Sequence, residues 1–186
     1  MSDAEGLNWR VIAAGLLLGA SLWIVAIGGL GPGESTPQAP EWHINTDAGF
    51  KILPPAGWTR RTDDRDGTQI APPKQPKVGF ATLIVSMRLV TDQDAVAHLT
   101  EAAARAPAGP VRNLRWHRQE KVTMGDGREG ALGEFSQIYR GAPVHGWMVI
   151  AVRDSRLVQA VATVPEDRAA AWGPALIHSL KSLEAL

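Results

Sequence analysis

The chain has 186 residues, 19 of them basic and 19 acidic, and contains no cysteine. From residue 41 onward there are 18 basic and 16 acidic residues, which argues against a dedicated nucleic-acid binder, a class with a marked basic excess. The absence of thiols excludes disulfides, thiolate metal sites and cysteine nucleophiles, so the fold is held by packing.

Residues 1–10, MSDAEGLNWR, form a short head. Residues 11–30, VIAAGLLLGASLWIVAIGGL, carry no charge. As a helix rising ~1.5 Å per residue this stretch is about 30 Å long, the thickness of a bilayer's hydrocarbon core. A cleaved secretion signal has a shorter apolar core of roughly 7–15 residues followed by a small-x-small site, and no clear A-x-A follows this run. A buried soluble helix of this length normally shows a polar face, whereas Ser21 is the only hydroxyl here. A retained transmembrane helix is therefore favoured over a cleaved signal or a core helix. Arg10 borders the run and the next basic residue is Lys51. The positive-inside rule then leaves the head in the cytoplasm and the bulk outside it. The expected location is the bacterial inner (cytoplasmic) membrane, single-pass, with a periplasmic C-terminal domain. Gly15 and Gly19 share a helix face with Ala26 roughly below them, a candidate helix-packing surface of the small-x-x-x-small kind. The alternative is that glycine is simply common in membrane helices.

Residues 31–41 read as a flexible linker, rich in Pro and Gly. Residues 42–186 form one domain of ordinary size. In chain order, GFKIL (49–53) is a short strand and PPAGWTRR (54–61) turns into a second. DDRDG (63–67) is turn chemistry, and APPKQPK (71–77) is a loop. VGFATLIVSMRLV (78–90) is a long strand with Leu83, Val85, Met87 and Leu89 on one face. Residues 91–106 form a helix capped by Thr91 or Asp92, with Ala95, Val96, Leu99 and Ala102 as its buried stripe. LRWHRQEKVTM (114–124) is a strand with Leu114, Trp116, Val122 and Met124 on one side and Arg115, His117, Gln119 and Lys121 on the other. GDG (125–127) is a hairpin turn, and strands follow over 129–140, 144–154 and 156–164, joined at GAP and DS. Residues 165–186 close the chain as a helix striped by Trp172, Leu176, Leu180 and Leu183, which Pro174 should bend or delay. The fold class is α+β, with an antiparallel sheet of about six strands and both helices on one face.

No catalytic constellation emerges. The five histidines form no H-x-x-x-H or H-x-H pair, and nucleophile-elbow and phosphate-loop motifs are absent. No catalytic residue, metal ligand or cofactor is expected. One surface stands out: Arg115, His117 and Lys121 crowd one strand and present a candidate face for an acidic partner or anionic headgroups. An ordinary solvated sheet face is the plainer reading. Trp42, beside the linker, is a further candidate for a partner or the membrane interface, whereas Trp58 belongs to the core.

The run GFKILPPAGWTR, the meander YRGAPVHGWMVIAVRD into RLVQAVATV, and the final IHSLKSL resemble the PsbP-like fold, shared with bacterial DcrB-type envelope proteins and eukaryotic Ran-binding import factors. The resemblance covers residues 42–186. It implies an α-β-α sandwich around an antiparallel sheet, in proteins that bind other proteins without doing chemistry. The photosystem members of that fold sit at the lumenal surface of a membrane complex. The implied function is a non-catalytic accessory or assembly subunit docking on the outer face of an integral membrane protein complex, photosynthetic or otherwise energy-transducing. The bilayer would be contacted through residues 11–30, and no nucleic acid is involved. The alternatives are a stand-alone periplasmic binding protein for a small ligand or cell-envelope component, and a hydrolase with a dispersed site.

Overall fold

The computed structural model describes residues 41–64, 67–76, 80–105 and 111–186. The expected head, transmembrane helix and most of the linker, with Gly15, Gly19 and Ala26, lie outside the described residues. No helix among the described residues is long and apolar enough to cross a membrane.

In chain order the described elements are β1 (His43–Asn45), β2 (Phe50–Ile52), β3 (Thr59–Asp64), β4 (Gly67–Ala71), β5 (Thr82–Leu89), α1 (Ala95–Ala104), β6 (Val111–Thr123), β7 (Glu129–Tyr139), β8 (Ala142–Arg153), β9 (Arg156–Pro165), a 3-10 turn (Glu166–Arg168), α2 (Ala169–Lys181) and β10 (Glu184–Ala185). Among the described residues β3 to β9 form one seven-stranded antiparallel sheet in the order β3-β4-β5-β9-β8-β7-β6. A smaller antiparallel sheet, β1-β2-β10, joins the start of the described chain to its end.

The meander β7-β8-β9 is built by two-residue turns. Arg140 and Gly141, then Asp154 and Ser155, all take positive φ, as a type I′ hairpin requires to match strand twist. The first of these turns lies one residue before the expected GAP.

Both faces of β8 and β9 are apolar. Met148, Ile150, Leu157 and Val161 pack with Leu99 of α1. Trp147, Val149, Val158, Ala160 and Ala162 pack with Leu176 and Leu180 of α2. Successive strand residues point to opposite faces, so one helix covers each side. The expectation of two helices on one face is corrected in favour of the sandwich that the resemblance implies. The continuous apolar run in β8 and β9 demands this, because a sheet wet on one side would alternate.

The sheet has seven strands rather than about six. β4 was not anticipated, because GTQIA buries Thr68 and Gln69 beside Ile70 and so lacks an apolar signature. The cap of α1 is Asp94, not Thr91 or Asp92. Its carboxylate accepts the backbone N–H groups of Val96 at 2.9 Å and Ala97 at 3.2 Å. The last helix stops at Lys181. The Ser182 hydroxyl accepts the Leu53 N–H at 2.8 Å, and Ser179 donates to the Leu53 carbonyl at 2.6 Å. These bonds hold the chain end beside β2, and β10 completes the small sheet.

A candidate docking edge and the groove beside it

β6 is an edge strand of 13 residues, and charged side chains along it guard its unpaired backbone. Its register with β7 shifts twice, between Arg112 and Arg115 and between Trp116 and Arg118. Asn113, at φ 53, lies in the first irregularity. A bulge adds a residue to one strand and resets which side chains share a face.

The second shift separates the residues that plain alternation groups together. Directly paired residues face the same side of an antiparallel sheet. Trp116 pairs with Phe135 and Lys121 with Ala131, which places both on the α1 side. Arg115 pairs with Ser136, and the His117 Nε2 lies 2.8 Å from the Ser136 hydroxyl, so these two lie on the α2 side. Val122 and Met124 also join the core beneath α2, apart from Leu114 and Trp116. Arg115 and His117 thus share a face, while Lys121 projects from the other face of the same edge and pairs with Glu129 at 2.8 Å. That hydrogen bond and charge hold the Lys121 ammonium above its ordinary value. The Arg115 side chain makes no hydrogen bond or ion pair among the described residues. Trp42 is remote from all three. It precedes β1, whose His43 reaches Thr68 of β4, and β5, β9, β8 and β7 separate β4 from β6. At the usual spacing of about 4.8 Å that is roughly 24 Å.

On the α2 side the sheet brings together histidines that the sequence keeps far apart. The His145 Nε2 lies 2.8 Å from Glu134, and its Nδ1 lies 3.4 Å from Glu166 at the start of the 3-10 turn. The His117 and His145 rings stack at 6.0 Å with 16° between planes. Beside them a groove of about 250 Å³ opens between β6–β8 and α2. Leu132, Trp147 and Ile177 wall it, and Arg118, Glu120 and Lys181 rim it. Arg118 and Glu120 pair with each other at 2.5 Å.

This cluster departs from a hydrolytic arrangement in one respect. In a Ser-His-Asp arrangement a single imidazole is bonded to the hydroxyl on one side and to an orienting carboxylate on the other. Here the ring at the Ser136 hydroxyl is His117, and the ring held by carboxylates is His145. Among the described residues no group of three or more His, Cys, Asp or Glu is placed to hold a metal ion. What the arrangement offers is charge and hydrogen-bonding capacity on an exposed sheet edge. Sequence reasoning missed His145, Glu134 and Glu166 because cross-strand pairing, not spacing, brings them together.

A second polar cluster pins the small sheet to the large one. The buried Asn45 amide donates to Asp63 at 2.6 Å and to Thr68 at 3.1 Å, and the Thr68 hydroxyl donates to the same Asp63 oxygen. Arg60 reaches the other Asp63 oxygen at 2.9 Å. Burial pushes the Asp63 carboxyl up, but the Thr68 hydrogen bond, the His43 ring and Arg60 together outweigh it and hold the group below its ordinary value.

The sequence matches no family profile and no curated protein. Solved structures do match it. Cyanobacterial PsbP from Synechocystis sp. PCC 6803 superposes with a TM-score of 0.56 at 14% identity, over 88% of this chain and 99% of that one. A Pseudomonas aeruginosa protein of unknown function, described as a regulator, gives 0.52 at 15% identity over 80% and 99%. The Ran-binding protein Mog1p of Saccharomyces cerevisiae gives 0.50 at 11% identity over 79% and 95%. At such identities the likeness is one of fold. A seven-stranded antiparallel sheet between two helices, matched along nearly the full length of cyanobacterial PsbP, shows that this chain has the PsbP-like fold.

Proposed function

We propose that this protein is a non-catalytic accessory or assembly subunit, held in the bacterial inner membrane by residues 11–30. Its periplasmic domain docks on the outer face of an integral membrane protein complex, photosynthetic or otherwise energy-transducing. The observation that carries the reading is the β6 edge. It is long, cationic and unpaired on its outer side, and Arg115 stands on it without a partner among the described residues. Such an edge offers a partner a row of backbone groups flanked by charge. The division of the hydroxyl and the carboxylates between two imidazoles supports a domain that binds without catalysing. The full-length match to PsbP supports a domain that needs no further module to form its fold.

The test is extraction of the intact protein in mild detergent, followed by purification and identification of what elutes with it. Co-elution with an integral membrane protein is expected, as is a several-fold loss of that partner on Arg115→Glu. Elution alone at every detergent concentration contradicts the reading. The groove beside α2 favours a second reading, a stand-alone binding protein for a small ligand. At about 250 Å³ it falls below the ~300–1,000 Å³ of ordinary ligand sites, so docking is the reading preferred.

A further inference from the structure

The outer face of the small sheet carries an apolar patch. Cross-strand pairing aligns Ile44, Lys51 and Glu184 on one face of β1-β2-β10, while Asn45, Phe50 and Ala185 face the core. Trp42 and Leu186 flank that outer face at either end of the described chain. Trp42 is 45% exposed, Ile44 53% and Leu186 42%. Leu89, 75% exposed, pairs across the large sheet with Arg156, whose guanidinium holds the Leu186 carbonyl at 2.9 Å, so it borders the same patch. These four are the large exposed hydrophobics among the described residues, and they gather on one side of the domain. Two of the charges in the patch offset each other, and Arg156 adds one positive charge at its border. Lys51 pairs with Glu184 at 2.9 Å and lies over the Trp42 ring at 4.7 Å.

We propose that this patch rests in the headgroup layer of the bilayer that holds residues 11–30. The inference rests on the tether proposed above and adds the domain's orientation. Ten residues, 31–40, separate the apolar run from the described chain. Fully extended they reach about 35 Å, and as a coil they span on the order of 17 Å. Trp42 is the second residue after them, so the patch is the part of the domain kept nearest the membrane. Trp, with an apolar body and one polar N–H, favours that layer, and Ile and Leu beside it reach the acyl boundary. With Lys51 and Glu184 paired, attachment is chiefly apolar, and Arg156 at the border adds only one positive charge toward the headgroups. This orientation leaves β6, about 24 Å across the sheet from β4, clear to meet a neighbouring protein.

The chain has no cysteine, so one introduced thiol gives a unique label. Ile44→Cys and Leu186→Cys, with Lys121→Cys as the reference, are spin-labelled in the full-length chain and placed in phosphatidylcholine nanodiscs. At 44 and 186 the label should be several-fold more accessible to oxygen than to a nickel chelate, and at 121 the order should reverse. The contrast should persist at high salt. Nickel access at 44 and 186 equal to that at 121, with the protein retained on the disc, overturns the inference and leaves the tether standing. Loss of the protein from the disc overturns the tether and the inference together. Nickel exclusion that persists without lipid, with dipolar broadening between labelled copies, assigns the patch to a second copy and also overturns it.

Discussion

Asp63 collects hydrogen bonds from Asn45 and Thr68 and charge from Arg60 and His43, across a sequence span of 25 residues from His43 to Thr68. Nothing local in the sequence announces this. DDRDG has the composition of a turn, and the extension of the 54–61 strand as far as Asp63 is recognisable only once its partner β4 is in place. The cluster has a pH signature. The folded value of Asp63 lies below the ordinary ~3.9 of an aspartate. Between the two values the unfolded chain binds more protons than the native one. The stabilisation is therefore whole above the ordinary value and is lost as pH falls through the lower, folded one. Asp63→Asn should be less stable than the parent at pH 7, and the gap should close on acidification below about pH 4. Urea midpoints at both pH values read this, and a gap that does not change with pH contradicts it. Two glycines act at the same scale. A Cβ on Gly146 would lie 2.3 Å from the Phe135 ring, and one on Gly133 would lie 2.4 Å from Trp116. Their absent side chains let both aromatics lie against the sheet beneath α1. Phe135 is buried and its ring has nowhere to swing, so Gly146→Ala should cost about 1–3 kcal/mol by thermal unfolding. An unchanged midpoint would mean that the ring relocates freely.

Elements were legible where their signal is local. GDG turns as its composition demands. Gly127 takes φ 81 and donates to the Met124 carbonyl at 2.9 Å. The Asp154–Ser155 turn and the strands on either side of it also follow from composition. α1 was legible as a helix, but three candidate caps stand within four residues and only backbone geometry selects Asp94. Asp94→Ala should lower stability by about 0.5–2 kcal/mol, and the same change at Thr91 should do much less. Chemical denaturation of the two variants separates the cap from its neighbours. β6 was legible as a strand and illegible as a surface. Its two register shifts leave no mark on composition, yet the second carries Lys121 to the face opposite Arg115 and His117. β10, of two residues, exists only because the chain end returns to β2, a long-range closure that periodicity does not report, and β1, of three residues, pairs with the other edge of β2 as a short hairpin.

At the scale of the whole molecule, the function proposed above gives the apolar run of residues 11–30 and the apolar patch of the small sheet the role of holding the domain at a membrane, and the cationic β6 edge that of meeting a protein there. The fold class and the sandwich could be read from the sequence through its resemblance to the PsbP-like fold, because a fold persists when identity is low. The face assignment of the helices could have been read from β8, whose consecutive apolar residues require cover on both sides. The charged edge was legible from its arginines, but the groove and the histidine pair beside it depend on which strands become neighbours. The claim that this edge docks on a membrane protein is tested most directly by a photo-crosslinking residue at position 115 of the intact chain, activated in native membranes. An adduct with an integral membrane protein, absent when the same residue stands at position 101 on the exposed side of α1, is the predicted result. Equal labelling from both positions, or none from 115, would contradict it.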